Sequence, residues 1–273
     1  MNKLLSIVMS FIMAIFSHPT GTQNTNNNID TETTTSSVET VKSEPLKIKN
    51  LWNLRDLGGF KGTDQKTTKT HSFLRSSIII GLDENEIQQI KDYGVKTVID
   101  LRCGCNVYSM PNSLSDVDGI NYHHIPLYFS NYNSKSLIYD PYVKILEKQK
   151  SSIKKVFKTI SNAEKGSVIF HCNGGKDRTA IIAMILLGLV GVSDDDITKD
   201  YMKTYENLEK LISEKNINIG PEEKKQLSQK DVLETEFKNV IKHIKENYKS
   251  FQEYLLDCGL SQKQIDSIKE RFI

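Results

Sequence analysis

Two apolar segments joined by a short polar loop constrain the fold of this chain more than any other feature. Ser167–Phe170 is a short apolar run that predicts a buried strand. Thr179–Val190 is almost continuously apolar, which predicts a helix buried on all sides. A buried strand followed by a buried helix is expected at the centre of an α/β domain.

Strand and helix patterns alternate along the rest of the chain. Residues 83–93 and 138–160 carry apolar side chains at helical spacing, whereas residues 95–101 and 122–127 have short strand patterns. From Asp194 onward the pattern is helical throughout. The alternation predicts an α/β fold with a central, mainly parallel sheet flanked by helices and with a helical C-terminal part.

The N-terminal part of the chain differs from the rest in composition. Lys3 precedes an apolar run, a pattern that predicts a signal peptide over residues 1–17, or an N-terminal anchor if this segment is not cleaved. Residues 18–45 are dominated by Thr, Asn, Ser and Glu, which predicts a disordered polar spacer. The folded domain is therefore expected over residues 46–273 of a secreted or extracytoplasmic protein, membrane-anchored if uncleaved.

Charge and cysteine content exclude several classes of function. The formal net charge is +2 without a block of like charges, which argues against a nucleic-acid partner. Four cysteines are too few for a disulfide scaffold in a domain of this size. Cys103 and Cys105 are separated by one residue, a spacing unsuited to a metal knuckle, and are expected to be small buried residues or a loop pair. No metal site is predicted, and Trp52, Tyr108 and Tyr128 are expected to pack in the core.

The loop between the two apolar segments carries the residue types that phosphate chemistry needs. Cys172 stands at the end of the strand and before a helix N-terminus, where backbone N–H groups favour a thiolate. Gly174 and Gly175 permit the backbone angles of a loop whose amides surround an anion. Arg178 offers a planar fork for two phosphate oxygens, and the Thr179 hydroxyl can donate a hydrogen bond to the sulfur. A structural alternative is a glycine-rich turn with a buried cysteine.

The segment His171–Thr179, which reads HCNGGKDRT, resembles the phosphate-binding loop of the protein tyrosine phosphatase superfamily. Its Lys-Asp-Arg version is similar to the bacterial-type tyrosine and phosphoinositide phosphatases, including the secreted mycobacterial and listerial enzymes. Asn53–Gly59, Leu74–Ser76 and Val98–Arg102 resemble further motifs of that family, in the same order. The resemblance extends over about residues 48–273, and the insertion of Cys103, Gly104 and Cys105 after the third motif departs from it.

The resemblance implies a phosphoric monoester hydrolase that forms a cysteinyl-phosphate and needs no cofactor or metal. Its catalytic residues would be Cys172 as nucleophile, Arg178 as phosphate clamp and Asp177 as general acid. Asp100 is a second candidate for the acid, although pairing with Arg102 or Arg55 is the favoured role for it. The predicted phosphate-binding residues are Asn173, Gly174, Gly175, Lys176 and Thr179, and the predicted supporting residues are His171, Asp100, Arg102 and Arg55.

The sequence leaves the substrate open between phosphotyrosine proteins and phosphoinositides, and the latter would bring the enzyme to a membrane surface. Lys176 either binds additional phosphate groups or is simply solvated. A phytase-like inositol polyphosphate phosphatase and a catalytically inactive module that binds a phosphorylated ligand are the alternatives. The oligomeric state is not predicted.

Overall fold

The computed structural model describes residues 46–130 and 134–273. The expectations for residues 1–17 and 18–45 lie outside these residues. The described chain contains a five-stranded sheet in the order β1-β2-β5-β3-β4, flanked by helices. The strands are β1 Arg55–Asp56, β2 Phe73–Ser76, β3 Val95–Asp100, β4 Asn121–His124 and β5 Ser167–His171.

The sheet is mainly parallel, as the sequence predicts. The four strands β2, β5, β3 and β4 run parallel to one another, whereas the short edge strand β1 is antiparallel to β2. β5 lies at the centre, and its last residue, His171, pairs with Ser76 on one side and with Asp100 on the other. Three carboxyl ends therefore meet at one edge, which is where ligands bind in open parallel sheets.

Helices account for most of the remaining structure in the described residues. They are α1 Glu84–Asp92, α2 Gly104–Ser109, α3 Tyr139–Lys148, α4 Lys150–Asn162, α5 Asp177–Leu189, α6 Asp194–Lys215, α7 Pro221–Ser228, α8 Lys230–Tyr248, α9 Phe251–Asp257 and α10 Gln262–Phe272. The C-terminal part is helical, as predicted. Among residues 46–130 and 134–273, none of the helices has the length and apolar composition that a membrane span requires.

Two predicted elements have different bounds in the structure. The expected helix over residues 138–160 is two helices that break at Gln149, whose side-chain amide makes hydrogen bonds of 2.7 Å and 2.6 Å to the Tyr128 backbone. The strand expected over residues 122–127 ends at His124, although the backbone N–H groups of Ile125 and Leu127 still donate to the oxygens of Asp100 and Leu101.

Apolar side chains alternate between the two faces of the sheet. Ile99 and Phe170 belong to a large cluster with α5, whereas Val98 and Ile169 belong to a smaller cluster on the opposite face. Helix α5 is buried along nearly its whole length, as predicted from its composition. The expectation that Tyr108 and Tyr128 pack in the core is wrong, since they are 92% and 63% exposed.

Candidate active site

The loop that links β5 to α5 lies at the carboxyl edge of the sheet. Cys172 directly follows β5, is 2% exposed and contacts the large apolar cluster. Helix α5 begins at Asp177, two residues earlier than the sequence predicts, so Arg178 lies in its first turn rather than at its start. The loop itself is therefore residues 172–176.

The carbonyl groups of this loop are held by donors that lie outside it. The ring of His171 contacts the Cys172 oxygen at 3.0 Å, and the backbone N–H of Ile78 donates to the Asn173 oxygen at 2.8 Å. Asn53 Nδ2 donates to the oxygens of Gly174 and Gly175, at 3.3 Å and 3.0 Å. Arg75 Nη2 also donates to the Gly175 oxygen, at 2.8 Å. We call these four donor residues, Asn53, Arg75, Ile78 and His171, the carbonyl clamp.

The carbonyl clamp fixes the direction of the loop amides. The described chain has no cis peptide bond, and in a trans peptide the N–H points opposite to the preceding carbonyl. The N–H groups of residues 173–176 therefore point away from the clamp. Within residues 46–130 and 134–273, no backbone or side-chain acceptor pairs with them. Four such amides on one side of a loop form a nest for an anion.

His171 holds the loop as a neutral ring. Its Nδ1 lies 3.0 Å from the Cys172 oxygen, which can only accept, so Nδ1 carries the proton. Its Nε2 then accepts from Asn112 Nδ2 at 2.7 Å. Burial lowers the pKa of His171, although the nearby Asp100 opposes this shift. The arrangement supports the predicted supporting role of this residue.

Gly175 is the loop position that requires glycine. Its φ is +61°, and a Cβ at this position would lie 2.4 Å from the Ser76 oxygen. Gly174 is different, since a Cβ there would make only ordinary contacts, the nearest at 3.7 Å from Trp52. The prediction that both glycines are needed for unusual backbone angles is therefore correct for Gly175 alone.

Several buried polar atoms at the loop lack a partner among the described residues. They are Asn173 Oδ1, Arg178 Nε and Thr179 Oγ1. Arg178 makes one long hydrogen bond, from Nη1 to the Leu101 oxygen at 3.4 Å. No carboxylate in the described part of the chain pairs with its guanidinium. Buried polar groups are rarely left unpaired, so these atoms mark a place where a polar ligand fits.

Asp177 lies at the mouth of the loop and is oriented by a tyrosine. Tyr142 donates a hydrogen bond to Asp177 Oδ1 at 2.9 Å, and the Asp177 side chain is 21% exposed. Tyr142 lies 3.4 Å from the Tyr201 hydroxyl, which in turn lies 2.9 Å from that of Tyr205. The carboxyl group is thus fixed, partly open to solvent and free of any arginine partner within the described residues.

Asp100 has the opposite environment, with no exposed surface. Arg102 donates from Nε and Nη2 to both carboxylate oxygens at 2.6–3.0 Å, and Tyr122 donates to Oδ2 at 2.9 Å. Burial alone would raise the pKa of Asp100, but His171 and Arg102 outweigh burial and lower it. Asp100 therefore remains ionised and enclosed, which fits pairing with Arg102 and not proton donation to a substrate.

Arg55 does not pair with Asp100; it contacts Asp200 of α6, 2.7 Å from Nε to Oδ1. Asp200 also pairs with Arg75 of the clamp, and Arg55 donates to both the backbone oxygen and Oδ1 of Asn53. Burial would raise the pKa of Asp200, but the two arginines lower it. The sequence places Asn53 and Arg75 in motifs of the family without indicating their role, and it does not single out Asp200. The available signal was a carboxylate on the apolar face of α6, between the buried Ile197 and Tyr201.

Lys176 is the last residue of the loop, and its side chain is not simply solvated. Its Nζ donates to Gln226 Oε1 of α7 at 2.7 Å and lies 3.9 Å from Asp177 Oδ1. Burial would lower the pKa of Lys176, but the nearby side chains of Asp177, Tyr205 and Glu223 raise it. A permanent cation thus stands beside the anion nest.

Several known proteins are similar to this chain to different degrees. A tyrosine-protein phosphatase of Nostoc commune is 31% identical over 138 residues, which cover 48% of this chain and 47% of the relative, so the match spans about half the relative's length. Among solved structures, TpbA of P. aeruginosa has a TM-score of 0.36 and 11% identity, with 77% of this chain and 92% of that chain covered. PTPMT1 in complex with PI(5)P has a TM-score of 0.28 and 17% identity, with 63% and 94% covered. The profile of the tyrosine phosphatase family matches residues 46–273, and the chain therefore belongs to that family.

Proposed function

We propose that this protein hydrolyses phosphate monoesters through a cysteinyl-phosphate intermediate formed on Cys172. One observation carries the proposal: the carbonyl clamp turns four loop amides away from itself, beside a buried thiol and an arginine without a carboxylate partner in the described chain. These amides and the Arg178 guanidinium supply positive charge where phosphoryl oxygens would bind. The proposed site residues are Cys172, Asn173, Gly174, Gly175, Lys176, Asp177, Arg178 and Thr179.

In the first step, the Cys172 thiolate attacks phosphorus while the bond from phosphorus to the ester oxygen breaks. The Arg178 fork and the loop amides bind the three non-bridging oxygens throughout. Asp177 gives its proton to the departing ester oxygen, which leaves as an alcohol or phenol. The fixed position of the Asp177 carboxyl, held by Tyr142 at 2.9 Å, supports this role.

In the second step, water attacks phosphorus and the sulfur leaves as a thiolate. The Asp177 carboxylate takes the proton of the attacking water. The buried Thr179 hydroxyl, which has no other partner in the described chain, is proposed to donate a hydrogen bond to the departing sulfur. Inorganic phosphate is released and the Cys172 thiolate is restored, while the amides and the guanidinium supply the positive field for both steps.

Phosphotyrosine proteins and phosphoinositides are the proposed substrates, the latter at a membrane surface. The name of the relative from Nostoc commune and the family to which this chain belongs support the first class. The permanent charge of Lys176, the last residue of the loop and 20% exposed, supports substrates that carry a further phosphate group.

Phosphate release from a phosphotyrosine peptide and from phosphoinositides, each in excess chelator, tests the proposal. We expect turnover in the wild-type chain and none in Cys172→Ser. Turnover that EDTA abolishes, or that Cys172→Ser retains, contradicts the mechanism. Tight binding of these ligands without turnover would instead indicate an inactive binding module, and strong preference for inositol polyphosphates would indicate a phytase-like enzyme.

The proposed cellular site is outside the cytoplasm, directed by residues 1–17. Lys3 followed by an apolar run supports export of the chain. N-terminal sequencing of the protein recovered from the medium or from the cell envelope tests this proposal. We expect a new N-terminus after the apolar run, or an intact one in the membrane fraction, and a soluble cytoplasmic chain that still begins at Met1 contradicts it.

A further inference from the structure

Cys103 and Cys105 lie together at the surface, just beyond the carboxyl end of β3. Their sulfur atoms are 2.6 Å apart, and both cysteines are free thiols. Cys105 is exposed and Cys103 is half-buried, so neither is one of the small buried residues expected as one reading of the sequence. They are not a loop pair either, because Cys103 is the N-cap of α2 and Cys105 is the second residue of that helix.

The distance between the two sulfurs is chemically informative. A disulfide bond is about 2.05 Å long, so the thiols need little movement to become bonded. A hydrogen bond with Cys103 raises the pKa of the Cys105 thiol. Cys103 Sγ also lies 2.7 Å from Asn106 Oδ1, a contact that holds this sulfur in place beside its partner.

The pair is distinct from the other cysteines of the chain. Cys172 and Cys258 are buried, at 2% and 7% exposure, whereas Cys105 is open to solvent. Metal binding is a poor alternative, because the described residues hold no group of three or more His, Cys, Asp or Glu side chains placed to share an ion. Two adjacent thiols with solvent access are suited to exchange with a disulfide.

We propose that Cys103 and Cys105 form a thiol–disulfide exchange site that reduces low-molecular-weight disulfides. The Cys105 thiolate attacks one sulfur of the small disulfide, forming a mixed disulfide and releasing one small thiolate. The Cys103 thiolate then attacks Cys105 Sγ, which forms the Cys103–Cys105 bond and releases the second small thiolate. The two protons lost by the cysteines pass to the two thiolates, so that one disulfide and one dithiol become two small thiols and one protein disulfide.

The reaction is expected to be reversible. An exposed disulfide in so short a ring is readily reduced, so the small disulfide must be in excess over its thiol for the protein disulfide to form. An added dithiol such as dithiothreitol should therefore restore both free thiols. The proposal does not depend on phosphatase activity, because neither sulfur takes part in the proposed phosphoryl transfer.

Peptide mapping of the full-length chain tests the exchange directly. Trypsin places both cysteines in the peptide of residues 103–135, whereas Cys172 and Cys258 lie in other peptides. After treatment with glutathione disulfide at mildly alkaline pH and alkylation, we expect this peptide to lose both alkylation sites and the mass of two hydrogens. Two glutathione molecules should be released for each chain, and dithiothreitol should restore both alkylation sites.

Single variants test the order of the two steps. Cys103→Ser should stop after the first step and retain one glutathione on Cys105. Cys105→Ser should react more slowly, because Cys103 is less exposed, and circular dichroism of both variants shows that they are folded. Cys258→Ala is a control that should leave the wild-type result unchanged.

Two outcomes would overturn the proposal. In the first, glutathione disulfide fully oxidises a reference peptide Cys-Gly-Cys, but both thiols of the folded wild-type chain treated in parallel can still be alkylated. The other is that wild-type Cys105 keeps a bound glutathione as stably as in Cys103→Ser, since this would show that Cys103 does not attack the mixed disulfide.

Discussion

Two arginines near the same loop differ in their surroundings: Arg75 belongs to the carbonyl clamp, which we call the outer side of the loop, and Arg178 belongs to the strand–loop–helix segment itself, which we call the inner side. Arg75 is fully buried, pairs with Asp200 and donates to the Gly175 oxygen on the outer side. Arg178, in the first turn of α5, has no carboxylate partner in the described chain and makes one long hydrogen bond to Leu101. A neutralised guanidinium holds the backbone, whereas one without a carboxylate remains available to an anionic ligand.

The largest effect on turnover is expected when the side chain of Arg178 is removed. Arg178→Ala should lower kcat by roughly 10⁴-fold, the scale on which an arginine stabilises phosphoryl transfer. The free energy of unfolding should change little, because no carboxylate among the described residues loses its partner. Steady-state kinetics together with urea unfolding measure both quantities.

Arg178→Lys is the matched control for the charge. Lysine keeps the positive charge but lacks the planar fork, so we expect partial activity between that of the wild type and Arg178→Ala. Full activity in Arg178→Lys would show that bidentate binding is unimportant. A large loss of stability in Arg178→Ala would show that Arg178, like Arg75, stabilises the fold, and would contradict the difference drawn between the two arginines.

A substitution on the outer side of the loop should lower the free energy of unfolding. Asp200→Asn leaves Arg55 and Arg75 without their carboxylate, and breaking a buried ion pair costs about 3–5 kcal/mol in free energy of unfolding. Asp194→Asn is the control on the same helix, because its ion pair with Lys245 is exposed and should contribute less than about 1 kcal/mol. Equal losses in the two variants would contradict the account.

The same substitution predicts a pH dependence. The pKa of Asp200 is lower in the folded chain than its ordinary value of about 4, so its contribution to stability is present above that pH. The contribution is lost as the pH falls further, through the folded-state pKa. The difference in unfolding free energy between wild type and Asp200→Asn should therefore shrink in acid, and a difference independent of pH down to acid unfolding would contradict it.

The proton donor should show an intermediate effect that depends on the leaving group. Asp177→Asn should lower turnover of a phosphotyrosine peptide by roughly 10²–10³-fold, the usual scale of general acid catalysis. It should lower turnover of p-nitrophenyl phosphate less, because nitrophenolate leaves without a proton. Asp100→Asn is the contrasting variant and should reduce stability, since it breaks the buried pair with Arg102. An equal loss for both substrates in Asp177→Asn argues against the acid role.

The smallest effect is expected at the loop glycines. Gly175→Ala places a Cβ against the Ser76 oxygen at positive φ, which should cost about 1–3 kcal/mol in free energy of unfolding. Gly174→Ala meets only ordinary contacts and should leave the unfolding free energy nearly unchanged. Thermal or urea unfolding of the two variants compares neighbouring positions of one loop, and a reversed order would contradict the described backbone.

The secondary structure around the inner side of the loop can be predicted from the sequence because its residues are contiguous. Cys172, Asp177 and Arg178 fall within one strand–loop–helix segment, which α5 and β5 hold as expected. The assignment of Asp100 to a pair with Arg102 also follows from sequence, since these residues are two apart at the end of a strand. Local patterns contain this information.

The contacts on the outer side of the loop cannot be predicted from the sequence in this way. Asn53, Arg75 and Asp200 meet only when β1, β2 and α6 pack, and no spacing along the chain records these contacts. Composition likewise does not show which aromatic side chains face solvent, which is why the expectation that Tyr108 and Tyr128 lie in the core is wrong. The proximity of Cys103 and Cys105 is local, but its geometry depends on where α2 begins.

The central claim is that a phosphoryl group is transferred to the sulfur beneath the loop amides. Rapid quenching of the wild-type chain with a phosphotyrosine substrate, followed by mass spectrometry of the tryptic peptide of residues 166–176, measures this directly. The account predicts one phosphate on Cys172, formed before the release of inorganic phosphate reaches its steady rate. Turnover with no phosphate on this peptide, or with phosphate on another residue, would contradict it.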